Sequence, residues 1–346
     1  MMGCGLQAKP LYSRLIPTDL VEDGQPVRLE VVYAEPDGEG PFPTVVFNHG
    51  STGNGSDPSR FTITTGFLTI VDYFNERGWL VVFPQRRGRG KSDGLYDEGF
   101  TLDRSGYSCD PVLSLPGVER AMEDIDEVMK YLRRDPVVKP GNMLIGGQSR
   151  GGILSIAYAG TRPGVFRGVI NFVGGWMSDG CPDPEAINTV TFIRGADFVN
   201  ETLWLYGRSD PFYSVSHSLA NFNAFKAAGG TGQIKLYTPL PGYNGHGIIF
   251  TPSLWESDLT AYLTSLPRAP EPAVPDITSV EMALPGEVQV RFTAESGFRY
   301  WLFGGETPDP STWSHLGEPV FPQSGEALQS LPISRQTSVF FTVRAD

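Results

Sequence analysis

The run Gly146-Gly147-Gln148-Ser149-Arg150-Gly151-Gly152 directly follows the apolar stretch Met143-Leu144-Ile145 and precedes a small-residue segment, 153–159, that reads as a helix. No other segment limits the possible folds as tightly. A serine hydroxyl can attack a carbonyl only if it stands clear of the fold, on a tight turn with room around it. The glycines of a G-x-S-x-G turn flank the serine where a Cβ would strike the neighbouring strand or helix. The following helix aims its N-terminal amides at the same spot, where negative charge would develop. Between a buried strand and a helix, the motif predicts a strand-turn-helix unit carrying a nucleophile at its apex.

Such a nucleophile needs a base, and the chain has four histidines. His49 lies upstream, at the end of the apolar strand Val45-Val46-Phe47. His315 falls in a separate C-terminal region, and His217 lies in a helix-like segment just after Asp210-Pro211. His246 remains, in the glycine-rich loop Gly242-Tyr243-Asn244-Gly245-His246-Gly247 that follows the strand-like run Ile234-Lys235-Leu236-Tyr237. The acid is expected between nucleophile and base. Asp210 turns away from the end of the predicted strand Thr202-Leu203-Trp204-Leu205-Tyr206-Gly207, where it can fix the tautomer of the histidine. Asp197 and Glu201 lie before that strand, at the wrong end of the sheet. Individually each has a plainer reading that holds less weight, Ser149 and Asp210 as turn residues and His246 as a surface loop residue. Their joint order at three strand ends favours a catalytic set.

This order resembles the α/β-hydrolase superfamily, and two further segments carry the likeness. Asn48-His49-Gly50-Ser51-Thr52-Gly53 is similar to the superfamily's oxyanion loop, which implies that the amide of Ser51 (or Thr52) joins that of Arg150 in binding an oxyanion. Arg87-Gly88-Arg89-Gly90-Lys91-Ser92-Asp93-Gly94 is similar to a turn of the dienelactone-hydrolase and prolyl-oligopeptidase-like branches. Dienelactone hydrolases proper use a cysteine nucleophile, so Ser149 departs from them and their reaction is not carried over. The pair Ser149-Arg150 also resembles the glucuronoyl esterases, over only a few residues. The likeness spans roughly residues 25–266 and implies an α/β fold, a mostly parallel central sheet flanked by helices. The chain shows the matching alternation. Strands are expected at 27–34, 44–47, 80–83, 143–145, 169–173, 202–207 and 234–237, with helices at 67–77, 118–133 and 254–266.

Two stretches, 94–117 and 174–200, have no strong period and hold one cysteine each, Cys109 and Cys181, which are expected to form a disulfide joining two insertions beside the site. Trp176, Phe212 and Tyr243 are the pocket candidates, with core packing an equal reading of Trp176. Arg86, Arg87 and Arg89 read as loop braces held by carboxylates rather than as an anion site.

Past residue 266 the texture changes to a proline-rich linker, 267–275, and then to short alternating runs over 276–346 that predict a small β-sandwich of immunoglobulin or fibronectin type. Tyr300, Trp301 and Trp313 are candidates for a polymer-binding face or for its core. Residues 1–24 read as an irregular segment, and Met2-Gly3-Cys4 faintly resembles the end of a lipoprotein signal. A net charge of −12 argues against nucleic-acid or anionic-membrane partners. No run is long and apolar enough to span a bilayer. No cluster has metal-ligand spacing, and neither metal nor cofactor is expected. The β-domain appended by a proline-rich linker points to an extracytoplasmic enzyme, with a cytoplasmic one as the alternative. The expected activity is cleavage of small-molecule or polymer carboxylic esters. The rivals are a serine peptidase of prolyl-oligopeptidase type and a non-catalytic binding protein on a hydrolase scaffold.

Overall fold

The structure, a computed structural model, describes residues 10–284, 287–323, 325–332 and 340–346. Met2-Gly3-Cys4 lies outside the described residues. The chain runs β1 (Tyr12–Glu22), β2 (Gln25–Ala34), β3 (Phe42–Asn48), α1 (Leu68–Asn75), β4 (Leu80–Gln85), α2 (Pro111–Leu132), β5 (Val138–Gln148) and α3 (Arg150–Thr161). It continues through β6 (Gly168–Phe172), α4 (Glu185–Ile193), β7 (Thr202–Gly207), α5 (Val215–Ala227), β8 (Gly232–Tyr237) and α6 (Pro252–Ser265). The first eight strands form one sheet in the order β1-β2-β4-β3-β5-β6-β7-β8. β1–β2 and β2–β4 pair antiparallel, and every later pairing is parallel.

The central strands are continuous apolar runs, as expected where helices cover both faces of a sheet. Val45, Val46, Phe47, Leu80 to Phe83, Met143 to Ile145, Val169, Ile170 and Leu203 to Leu205 are all buried in one core. Because these strands are parallel, the loops leaving β3, β5, β7 and β8 open on the same edge, the usual ligand crevice of such a sheet. The pairing of Asn48 with Gly147 sets the loop after β3 beside the Ser149 turn.

Two expectations need correction. The segment read as irregular, 1–24, holds β1 over residues 12–22, hydrogen-bonded to β2. Its pattern hid it: only Ile16 is fully buried, Pro17 interrupts the run, and a register shift falls between Pro17 and Val21. Proline, charge and irregularity are how an edge strand avoids pairing further. The second correction concerns α2, which begins at Pro111 rather than at residue 118. Asp110 accepts from the Val112 N–H and Pro111 takes the first turn, while Pro116-Gly117 lies inside the helix. Gly117 is required there by close approach: a Cβ would sit 2.3 Å from the backbone of Glu98, so the 94–110 insertion lies directly on the helix.

Past an extended linker, the C-terminal region contains β9 (Ile277–Leu284), β10 (Glu287–Thr293), β11 (Tyr300–Gly305), β12 (Ser314–His315), β13 (Glu326–Pro332) and β14 (Phe340–Ala345). They form two three-stranded antiparallel sheets, β13-β10-β9 and β12-β11-β14. The sheets share a second core that includes Val290, Phe292, Tyr300, Leu302 and Val343. Tyr300 and Trp301 are buried, so neither forms an exposed polymer-binding face. Arg299 joins this region to the large sheet. Fully buried, it donates to the carbonyls of Arg133, Asp135 and Val138, and pairs with the Asp346 carboxylate.

Candidate active site

Ser149 leaves β5 with φ 58° and ψ −123° and immediately precedes the first residue of α3. A non-glycine residue in that region costs about 1–3 kcal/mol and persists only where its surroundings enforce it. Here they do. The Ser149 N–H donates to Phe172 O at 2.9 Å, and its carbonyl accepts from the Gly152 and Gly175 N–H groups at 2.9 and 3.2 Å. The flanking glycines are demanded by proximity. A Cβ on Gly147 would lie 2.4 Å from the Gly151 backbone, and one on Gly151 would lie 2.0 Å from Asn48 O. The turn is wedged against the end of β3, which leaves the serine at its apex.

His246 begins from a different anchor. Asn244 accepts from the backbone N–H groups of His246 and Gly247 at 3.0 and 3.2 Å, which caps the short 3₁₀ segment Gly245–Phe250. Gly245 donates to Ser209 O at 3.2 Å, and a Cβ on Gly207 would fall 2.2 Å from Gly245 O. The loops after β7 and β8 therefore meet backbone to backbone. This crossing delivers His246 Nδ1 to Asp210 Oδ2 at 2.9 Å. The other carboxylate oxygen accepts from the amides of Phe212 and Tyr213 at 2.8 and 3.2 Å, so the acid is held on both sides. With Nδ1 donating to a carboxylate, Nε2 of the neutral ring is left to accept a proton.

Ser149, His246, Ser51 and Arg150 line one cleft of about 160 Å³. Arg150 is the first residue of α3, where a backbone N–H has no intrahelical acceptor. The Thr52 amide donates to the Tyr107 hydroxyl at 3.1 Å, while Ser51 of the same loop lines the cleft.

No family model matches this chain, and no curated protein matches it in sequence. Solved structures do. One is an esterase of Pyrococcus furiosus, 14% identical, with a TM-score of 0.51 over 74% of this chain and 90% of that one. Another is a putative dipeptidyl aminopeptidase IV of Bacteroides ovatus, 14% identical, with a TM-score of 0.52 over 76% of this chain but only 37% of that one. The chain has the α/β-hydrolase fold.

Within this α/β-hydrolase fold the remaining candidates separate. Phe212 stands edge-on to His246, with ring centroids 4.7 Å apart, and lines the cleft. Trp176 is both core and wall: fully buried, it presents its ring to the Arg150 guanidinium at 4.3 Å, while Tyr107 faces the same group at 3.6 Å. Tyr243 is a correction. Tyr243, next to Gly242 at φ 86°, is 60% exposed and lies outside the cleft.

Cys109 and Cys181 are bonded, their Cα atoms 5.5 Å apart, and the bond ties the two insertions together beside the Tyr107–Arg150–Trp176 stack. Two of the other histidines are occupied. His217 Nε2 accepts from the amides of Asn188 and Asn221, both at 2.9 Å, and burial lowers its pKa. His49 is fully buried beside Arg86 and Arg89, and burial first, then those two charges, hold its pKa well below the ordinary value. The arginine-rich turn serves mostly as a brace: Arg86 pairs with Glu98 and Arg87 with Asp124. Burial alone would raise the Glu98 carboxyl, but Arg86 and Arg150 overcome it and hold it below the usual range.

Sequence reasoning missed Glu98, Tyr107, Asn188 and Tyr213. Asn188 fixes the wall by accepting from the Trp176 and Met177 amides at 2.8 and 3.0 Å. Tyr213 packs beside His246 and donates to Gly175 O. All four lie in segments with no period to read. Among the described residues, no three His, Cys, Asp or Glu side chains gather as a metal site, and no helix is long and apolar enough to cross a membrane.

Proposed function

We propose that the protein is a serine hydrolase acting on carboxylic esters. Ser149 Oγ attacks the ester carbonyl while His246 Nε2 takes its proton. Asp210 holds the ring and stabilises the imidazolium, and the Ser51 and Arg150 amides receive the oxyanion. His246 then protonates the departing alcohol. Water, activated by the same histidine, releases the acid from the acyl-enzyme.

The observation that carries this reading is the 2.9 Å contact between His246 Nδ1 and Asp210 in the cleft that also holds the serine turn. Esterases and peptidases share this apparatus, and the lining of the cleft favours the ester. None of its residues carries a carboxylate with which to hold a peptide amine. Its volume of about 160 Å³ is below the usual 300–1,000 Å³ of small-molecule sites, which suits a small acyl group with the alcohol lying outside. A disulfide-bonded wall fits an extracytoplasmic setting.

The test is a fluorophosphonate label combined with a panel of nitrophenyl esters of rising chain length and peptidyl amides. The label is expected on Ser149 and absent from Ser149→Ala, with short esters turned over fastest. Ser149→Ala and His246→Ala should each lower kcat about 10⁴–10⁶-fold and Asp210→Asn somewhat less, while His217→Ala stays within a few-fold. An inactive His217→Ala beside an active His246→Ala would sink the assignment of the base.

A further inference from the structure

The Gly50 carbonyl and the Ser51 N–H belong to one peptide unit, and that carbonyl is met by an unusual set of donors. His49 Nδ1 lies 2.8 Å from Gly50 O, Arg89 Nη1 3.3 Å and Arg86 Nη2 3.5 Å. Arg86 Nη1 also donates to the preceding carbonyl, His49 O, at 3.0 Å. The Arg86 N–H reaches His49 Nε2 at 3.4 Å, which favours the ring proton on Nδ1, directed at Gly50 O, with Arg86 Nη2 and Arg89 Nη1 standing 3.2 and 3.3 Å from the same nitrogen. In that tautomer His49 is a neutral donor.

Both arginines are buried, and neither lines the cleft. Arg86 is compensated by Glu98. Arg89 has no carboxylate within ion-pair distance among the described residues, and its guanidinium points at Gly50 O, the His49 ring and Thr65 Oγ1. Glu98, paired directly with Arg86 and Arg150, also feels the Arg89 charge, and the Tyr96 ring centroid lies 5.2 Å from the Arg89 guanidinium, but among the described residues no carboxylate takes the Arg89 donors turned toward Gly50 O. A hydrogen bond accepted at a carbonyl draws electron density from the amide and makes its N–H a stronger donor. The effect is largest where water is excluded.

We propose that Arg89, supported by Arg86 and His49, is a positioning residue that polarises the Gly50–Ser51 peptide, so that buried positive charge reaches an oxyanion through the Ser51 N–H. This rests on the reading of that amide as an oxyanion donor. The contribution grows with charge on the substrate oxygen, so it belongs to the transition state rather than to substrate binding.

The test compares Arg89→Met, which loses donor and charge, with Arg89→Lys, which keeps both, and Arg104→Met as a control for net charge. Loss of a whole oxyanion donor lowers kcat about 10²–10³-fold. Weakening one donor should lower kcat for nitrophenyl acetate about 5- to 10-fold in Arg89→Met, with KM unchanged. Affinity for a boronic acid, which forms an anionic tetrahedral adduct on serine, should fall by the same factor. Arg89→Lys should recover most of both losses, and Arg104→Met should match the wild type. If Arg89→Met does not fold, Arg89→Gln, an uncharged donor, replaces it and should lose more kcat and more boronate affinity than Arg89→Lys.

Equal losses in the Lys and uncharged variants, a loss confined to KM, or unchanged boronate affinity would overturn the proposal. A wild-type protein that neither takes the fluorophosphonate nor turns over esters defeats the hydrolase reading itself. An active wild type with indifferent Arg89 variants defeats only this one.

Discussion

Replacing Cys109 and Cys181 together by alanine should cost the catalytic unit a large share of its stability. The bond closes a span of 72 residues, and the loop-entropy relation for a span of that length gives about 4 kcal/mol at 25 °C. A domain of this size loses roughly 2–4 °C of Tm per kcal/mol, so the double variant should melt about 8–16 °C lower. Burial adds a term in the same direction, since Cys181 is buried while Cys109 is exposed. A local consequence should accompany the global one. Tyr107 and Trp176 enclose Arg150 from the two insertions that the bond joins, so its loss should raise KM for small esters more than it lowers kcat. The assay is thermal unfolding followed by circular dichroism, on wild type with and without dithiothreitol and on the double variant. Thiol titration under denaturing conditions runs alongside. One thiol should react in unreduced wild type and three after reduction, because the chain has three cysteines. A titration showing the bond formed, together with a Tm change under about 2 °C, would refute the reasoning from chain entropy. Three reactive thiols in unreduced protein would refute the bond itself.

Two further outcomes are expected. Above pH 6.5 His49 is neutral both folded and unfolded, and it contributes nothing to pH dependence. Below its unfolded pKa of about 6.5 only the unfolded chain takes up the proton, because the folded pKa is depressed. Stability should therefore fall by about 2 kcal/mol on going to pH 5, and His217 pulls in the same direction. Urea unfolding at each pH should show a flatter slope in His49→Asn, and an unchanged slope would exclude His49 as its source. Truncation after Pro267 should leave kcat on a small ester within a few-fold. Arg299 grips Val138, at the far end of β5 from Ser149 and about 30 Å along the strand. The truncated protein should melt lower, because the carbonyls of Arg133, Asp135 and Val138 lose their buried donor. A folded truncation without ester turnover would show that the β-region helps to build the cleft.

The alternating strands and the order of Ser149, Asp210 and His246 were legible because they rest on local signals: apolar runs, glycine-bounded turns and chain order. The start of α3 at Arg150 was not read, since Gly151 and Gly152 look like turn residues until the approach of Asn48 O shows what they make room for. β1 escaped because an edge strand suppresses the alternation that reveals a strand. The Tyr107–Arg150–Trp176 stack was illegible for a different reason. It joins residues from three elements, the insertion before α2, the start of α3 and the segment before α4, and no sequence period connects them. Tyr243 misled because adjacency to a histidine loop says nothing about direction.

The backbone crossing at Gly207 and Gly245 divides the loop after β8 into two parts with different freedom to vary. Gly245 cannot become any other residue without separating His246 from Asp210, because a Cβ there would stand 2.4 Å from Arg208 O. Gly242 faces open space, and Leu240 and Tyr243 are exposed around it. Insertions and substitutions over 238–243 can therefore be absorbed at the surface while Asn244, which caps both His246 and Gly247, isolates the histidine from the change. Variation in this lineage, natural or in a mutagenesis library, should collect on one side of Asn244 and stop at the other.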